Sequence, residues 1–145
     1  MISVIGRYKE CVAALLALTV ISRTTEDAWA QVTSHGDLAI VCRAAVAAMM
    51  GHDIKIVRLD KIEGDIAYVS YARPSDKKVW KNRCRLDGST LIWSTVDAFG
   101  PGAGFGPWRD RPGDEKVTFR LNASRVTVVQ TFADGSDVTK TFPTK

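Results

Sequence analysis

The chain changes its hydrophobic periodicity once, near Gly51, and the change predicts one helix followed by a region of strands. Over residues 38–50 the apolar side chains recur at helical spacing, with Ser34 and Asp37 before them as plausible N-caps and Gly51 as a typical stop. Alanines within this segment raise its helix propensity and allow close approach to a sheet. After Gly51 apolar and polar residues alternate, which is the pattern of half-buried strands.

The alternating region predicts strands joined mainly by short turns. Asp87-Gly88 and Asp134-Gly135 are hairpin signals between two such runs. The predicted strands cover residues 54–61, 66–73, 79–86, 90–96, 117–121, 125–132 and 138–142. The expected fold is therefore α+β, with one N-terminal helix packed on a curved antiparallel meander of six to seven strands.

Alternation also predicts which side chains face the core, and it places two cysteines together. Trp80, Cys84 and Leu86 share one face of their strand with Asn82, while Cys42 lies on the apolar stripe of the helix. Because two independent periodicities direct both thiols to one core, we expect a disulfide between them. It would close a loop of about 42 residues, worth roughly 4 kcal/mol in the chain-entropy model. Other expected core residues are Leu91, Trp93, Val117, Phe119, Leu121, Val126, Val128 and Phe132.

Residues 1–30 have the order of a secretory signal peptide. Arg7 and Lys9 supply a basic start, residues 11–21 form an apolar run, and the small-x-small tripeptide Ala28-Trp29-Ala30 follows a polar stretch. The run is shorter than the about 20 residues that span a bilayer, so an uncleaved anchor is the weaker alternative. A buried amphipathic helix is the other, although the run has no polar face. We expect cleavage near Ala30, a single exported domain over residues 31–145, and a periplasmic or extracellular location.

The net charge of +4 belongs to the predicted mature domain, because basic and acidic residues cancel within residues 1–30. A mildly basic domain favours anionic partners such as phospholipid headgroups, acidic glycans or an acidic protein. The charge is too sparse for a dedicated nucleic-acid binder. Cleavage would also remove Cys11 and leave Cys42 and Cys84 as an even pair. No segment after residue 30 is long and apolar enough to be transmembrane.

The glycine-rich segment 98–113 is the most unusual part of the chain. Phe105, Trp108, Arg109 and Arg111 lie within it, and aromatic and arginine side chains on a surface loop suit contact with a partner. The alternative is that Phe105 and Trp108 fold back to cover one end of the sheet, since large aromatics are highly buried on average. The glycines do not form a phosphate-binding loop, because no Gly-Lys-Ser/Thr follows them.

A second candidate contact surface is a basic strand face. Lys81, Arg83 and Arg85 alternate along the third predicted strand and form a stripe that could bind an anionic partner. The alternative is an ordinary solvated face, or an edge strand protected by charge. Tyr68 and Tyr71 fall on opposite faces of the preceding strand, so one of them is expected beside this stripe.

The sequence contains no pattern typical of a catalytic or metal-binding site. The sequence has no Gly-x-Ser-x-Gly and no Ser-x-x-Lys, and His35 and His52 lack partners at metal-ligand spacing. A catalytic pair of carboxylates is conceivable among the acidic residues of the first predicted hairpin and of the loop. These residues are Asp60, Glu63, Asp65, Asp110 and Asp114. We expect neither a metal nor a cofactor.

Three functional hypotheses follow, in order of preference. The first is a small exported, non-enzymatic binding or inhibitor module that contacts a protein or an anionic envelope component through residues 99–111 of the loop and the basic strand face. The second is a carrier of a small apolar ligand, with a pocket between helix and sheet. The third is a hydrolase that uses paired carboxylates.

Overall fold

One helix and seven strands follow each other along the part of the chain that the computed structural model describes, residues 34–145. The predicted signal peptide lies outside these residues. The elements are α1 (His35–Met50), β1 (Arg58–Glu63), β2 (Ile66–Ala72), β3 (Val79–Asp87), β4 (Thr90–Val96), β5 (Lys116–Leu121), β6 (Arg125–Thr131) and β7 (Asp137–Pro143). The strands form one antiparallel sheet in chain order. The predicted α+β meander is confirmed.

Helix α1 is capped at both ends by residues that the sequence predicts for these positions. Ser34, rather than Asp37, is the N-cap, and its hydroxyl accepts a hydrogen bond of 3.1 Å from the Asp37 N–H. Gly51 ends the helix in the left-handed conformation, with φ 69°, which a glycine adopts without the strain of a side chain. Within residues 34–145, no helix has both the length and the apolarity needed to cross a bilayer.

The core lies between α1 and one face of the sheet, and a disulfide joins the two layers. Cys42 on α1 and Cys84 on β3 are bonded as predicted, with their Cα atoms 5.8 Å apart and both side chains fully buried. Small buried residues such as Ala44 and Ala45 permit this close approach. The facing side chains of the sheet include Ala67, Val69, Leu91, Trp93, Val117, Phe119, Leu121, Val126 and Val128.

The predicted first strand was wrong at its beginning. Residues Ile54–Ile56 form a turn of 3-10 helix, and β1 starts only at Arg58. The Asp53 carboxylate caps this turn by accepting from the Lys55 N–H at 2.9 Å. Arg43 donates to the carbonyls of Ile54 and Val57, at 3.2 and 2.7 Å, and so occupies acceptors that a strand ladder would use.

The prediction that Phe132 faces the core was also wrong. Strand β6 ends at Thr131, and Phe132 already belongs to the hairpin turn, where its N–H donates to the Ser136 carbonyl at 2.9 Å. Its side chain is 40 % exposed. Alternation holds only while the backbone stays extended, so it places Val126 and Val128 correctly and fails one residue beyond the strand.

The sheet divides beside β4, and this division positions the loop. Strand β5 pairs with β4 only at Thr90 and Leu91. Beyond Leu91 the 98–113 loop takes the place of β5, with Phe105 opposite Val96 in an isolated bridge. The loop therefore runs beside β4 and pairs with it at this one bridge.

Candidate functional site

The sheet face turned away from α1, called here the distal face, carries the predicted basic stripe. Cys84 points toward α1, so Arg83 and Arg85, its neighbours in the strand, point to the distal face. Tyr68 lies opposite Arg83 in the β2–β3 register, so Tyr68 is the tyrosine beside the stripe.

Arg83 is held between two aromatic rings of the loop. Its guanidinium carbon lies 4.0 Å from the centre of the Phe105 ring and 4.1 Å from the centre of the Trp108 ring. A cation over an aromatic face is attracted by the ring quadrupole, and a planar guanidinium also stacks on the ring. We call Arg83, Phe105 and Trp108 the arginine sandwich. It shows that two surfaces predicted separately, the loop and the basic stripe, form one unit.

The other basic residues of the stripe also hold the loop. Arg85 lies 5.2 Å from the Trp108 ring centre and forms an ion pair of 2.9 Å with Asp110. The Lys81 ammonium lies 3.5 Å from the Asp97 carboxylate at the start of the loop. Much of the charge of the stripe is therefore matched within the protein, and the stripe anchors the loop.

Backbone hydrogen bonds fix the loop along β4. The Gly106 N–H donates to the Thr95 carbonyl at 2.9 Å, and the Arg109 N–H donates to the Trp93 carbonyl at 2.9 Å. The buried Ser94 hydroxyl donates to the Gly106 carbonyl at 2.6 Å. Because both backbone groups of Gly106 are engaged, this residue is held against β4.

Gly106→Ala is expected to destabilise the protein by about 1–3 kcal/mol, the usual cost of inserting a methyl group where there is no room. A Cβ at this position would overlap the Thr95 Oγ1 atom. Urea denaturation of both proteins measures the difference.

Thr95 supplies the matched controls for that substitution. Adding Thr95→Ala to Gly106→Ala removes the overlapping oxygen and is expected to recover most of the loss, whereas Thr95→Ser keeps the oxygen and recovers little. Equal stabilities of the two double variants would show that this overlap is not the cause.

A groove of about 420 Å³ opens on the distal face beside the arginine sandwich. Tyr68 and Phe105 form its aromatic walls, with ring centres 6.2 Å apart. The Ser70 hydroxyl donates to the Asp60 carboxylate at 2.8 Å inside it. The lining residues are Asp60, Lys61, Tyr68, Ser70, Lys81, Val96 and Phe105.

Two ammonium groups border this groove. Lys61 lies 4.6 Å above the Tyr68 ring centre and donates to Glu63 at 2.6 Å. That hydrogen bond raises the pKa of Lys61 and lowers the pKa of Glu63, because it favours the charged form of each partner. At the border of the groove Lys61 is therefore paired with Glu63, and Lys81 is paired with Asp97.

Two predicted contact residues lie apart from the sandwich. The Arg109 guanidinium lies 5.5 Å from the ring centre of Trp93 and 3.5 Å from the Asp114 carboxylate. Trp93 is opposite Cys84 in the sheet and shares its face, so Arg109 does not join the distal groove. Arg111 is exposed, and its backbone N–H donates to Asp114 at 3.0 Å.

Most of the candidate carboxylates serve as partners of other side chains. Glu63 pairs with Lys61, Asp110 with Arg85 and Asp114 with Arg109, while Asp60 accepts from Ser70. Asp65 lies in the exposed turn between β1 and β2. In the described part of the chain, no cluster of three or more His, Cys, Asp or Glu residues could hold a metal ion.

Comparison of the chain with protein-family models, curated proteins and solved structures finds no match.

Proposed function

We propose that this protein is a small exported, non-enzymatic binding or inhibitor module whose contact surface is the distal groove beside Phe105. Its partner is a protein or an anionic component of the cell envelope. The observation that carries the proposal is that Phe105 is held in place and is nevertheless exposed. Its ring contacts the Arg83 guanidinium and its backbone forms the bridge to Val96, yet 59 % of its side chain is exposed.

An exposed aromatic ring that is already fixed is suited to binding. Association normally costs free energy for ordering each mobile side chain and loop, and a preformed contact avoids much of that cost. Aromatic residues set in such positions are enriched among those that dominate binding free energy. Phe105 and Tyr68 would together present an apolar surface to the partner, while Ser70 and Asp60 would orient a polar group.

The net charge of the protein, more than the groove itself, favours a partner with negative charge. Lys61 and Lys81 flank the aromatic walls, and the net charge of +4 would speed the approach of an anionic surface. Strand β1 is an edge strand, and a bulge at Asp60 interrupts its register. Bulges disfavour pairing with a further strand, so recognition would use side chains in the groove.

Export is supported by the pattern of residues 1–30 and is compatible with the Cys42–Cys84 disulfide. Disulfides persist in oxidising compartments and are rare in the cytosol of mesophiles. The proposed site of action is therefore the periplasm or the extracellular space.

The packing of α1 gives less support to an apolar-ligand carrier. Val41, Cys42 and Ala45 of the helix and Ala67 and Val69 of the sheet are fully buried between the layers. The groove lies on the opposite face of the sheet, where it is open to a large partner. These two features favour a contact surface over an enclosed ligand site.

Site-directed photo-crosslinking tests the proposal. A benzophenone-bearing phenylalanine analogue at position 105 is expected to form an adduct with an envelope component, and Tyr68→Ala is expected to weaken that adduct at least severalfold. The readout is the mass shift of the protein in envelope extract.

Phe132 provides the matched control, because it is an exposed phenylalanine outside the groove. The same analogue at position 132 should give no such adduct. Failure at position 105, or equal adducts at both positions, would overturn the proposal.

A further inference from the structure

The exposed large apolar side chains of residues 34–145 share one end of the sheet. In an antiparallel meander, the starts of odd-numbered strands and the ends of even-numbered strands lie at the same end. Each of these side chains lies at or just beyond such a position: Leu59, Val79, Phe99, Phe105, Phe132 and Val138. The turns at the other end are polar, including Glu63-Gly64-Asp65 and Asp87-Gly88.

Phe99 is the most prominent of these residues. It lies in the loop tip, residues 98–103, which contains only alanine, phenylalanine, glycine and proline. Its side chain is 98 % exposed. A single exposed apolar residue is ordinary, so this exposure alone would not indicate a binding surface.

Backbone hydrogen bonds give the loop tip a defined shape on both sides of Phe99. The Asp97 N–H donates to the Gly104 carbonyl at 2.8 Å, and the Gly104 N–H donates to the Asp97 carboxylate at 3.1 Å. Gly100 donates to the Asp97 carbonyl and Ala103 to the Gly100 carbonyl, both at 3.1 Å. Phe99 therefore lies in a hydrogen-bonded turn and presents its ring to solvent.

Positive charge gathers at the same end of the sheet, on the side of β1 to β3. Lys81 lies opposite Val96, so Lys77 and Lys78, which precede β3, lie toward the loop tip. Arg58 begins β1 at this end. Among the described residues, none of these three cations has a carboxylate within ion-pair distance.

Acidic residues nearby reduce this charge only in part. Arg73 is paired with Asp76, and this pairing lowers the pKa of the Asp76 carboxyl well below its usual range. Asp53 and Asp60 accept hydrogen bonds from the Lys55 N–H and the Ser70 hydroxyl. The three cations Arg58, Lys77 and Lys78 therefore exceed the two carboxylates of Asp53 and Asp60 by one charge.

From these features we propose that the loop tip inserts Phe99 into the surface of an anionic lipid bilayer while Lys77, Lys78 and Arg58 bind its headgroups. This proposal rests on the binding function above and names a lipid surface as the envelope component. Lys78 also lies 5.0 Å from the Trp80 ring centre, so its contact is with a ring and not with a carboxylate. A protruding apolar ring beside cations that have no carboxylate partner favours peripheral membrane contact. Each cation near such a surface strengthens binding about fivefold. One inserted ring gives reversible attachment.

Vesicle flotation tests the proposal with the purified protein. The protein is expected to bind vesicles of mixed phosphatidylglycerol and phosphatidylcholine and to lose that binding on phosphatidylcholine alone. Phe99→Ala should weaken binding about tenfold, since the variant no longer buries an aromatic ring. Replacing both Lys77 and Lys78 with glutamine should weaken it at least tenfold and reduce its dependence on salt.

Two controls separate insertion from nonspecific adhesion. Phe132→Ala removes an exposed ring at the same sheet end but next to Asp134 and Asp137, and should leave binding nearly unchanged. Phe99→Trp should show a blue shift of its fluorescence on anionic vesicles, whereas Phe132→Trp should not. Equal losses for Phe99→Ala and Phe132→Ala, or equal binding to neutral and anionic vesicles, would overturn the proposal.

The lipid proposal and the groove proposal fail differently. Adducts at position 105 without vesicle binding would overturn the lipid proposal and leave the groove as the contact surface. Vesicle binding without adducts at position 105 would support the loop tip and overturn the groove.

Discussion

Replacing Cys42 and Cys84 with alanine is expected to lower the free energy of unfolding by about 4 kcal/mol, because the bond closes a loop with a sequence separation of 42 residues. In the chain-entropy model of disulfide stabilisation, removing the cross-link raises the conformational entropy of the unfolded chain. The loss is a large fraction of the 5–15 kcal/mol by which domains are ordinarily stable. Urea denaturation followed by circular dichroism measures it.

Reductant provides the control for this prediction. It should destabilise the wild-type protein by a similar amount and leave the double-alanine variant unchanged. A Cys42→Ala and Cys84→Ala variant as stable as the oxidised wild type would contradict the role given to the disulfide. So would two free thiols after alkylation of the purified protein without reductant.

Arg83→Ala is expected to lower the free energy of unfolding by roughly 1–2 kcal/mol, since cation–π contacts at partly exposed sites are worth about 0.5–1 kcal/mol each. Arg83 makes two such contacts, with Phe105 and Trp108. Arg83→Lys should recover only part of the loss, because an ammonium group does not stack on a ring as a planar guanidinium does.

Arg85→Ala is the matched control for Arg83→Ala. Arg85 lies on the same face, but its ion pair with Asp110 is partly exposed and its guanidinium lies farther from Trp108. Exposed ion pairs contribute about 0–1 kcal/mol, so the loss should be small. Equal losses in the two variants would contradict a special role for the arginine sandwich.

Periodicity predicted the parts of the fold that obey a regular backbone. The strand over residues 90–96 was predicted at both ends, and the faces of β3 placed Cys84 toward the core. The disulfide could be predicted because helical and alternating patterns independently directed Cys42 and Cys84 inward. The exceptions, the 3-10 turn before Arg58 and the outward Phe132, both lie where the backbone departs from a strand.

The candidate contact surface was only half predictable, for a physical reason. Sequence spacing identified Phe105, Trp108 and Arg83 as candidate contact residues. A glycine-rich segment has no periodicity, so the sequence could not predict how the loop packs on β4. The position of Lys61 at the border of the groove depends on the β1–β2 register. A bulge at Asp60 shifts that register. Arg109 was grouped with the other candidates by proximity in sequence, whereas the loop carries it to the ring of Trp93.

The docking of the loop on β4 through Arg83 is tested most directly by amide hydrogen exchange at Asp97, Gly106 and Arg109. These N–H groups donate to backbone carbonyls in the wild-type structure, so their exchange should be slow, as in the neighbouring strands. In Arg83→Ala the same amides should exchange rapidly while amides of β2 and β3 stay protected. Rapid exchange at Gly106 and Arg109 in the wild-type protein would contradict a preformed contact surface.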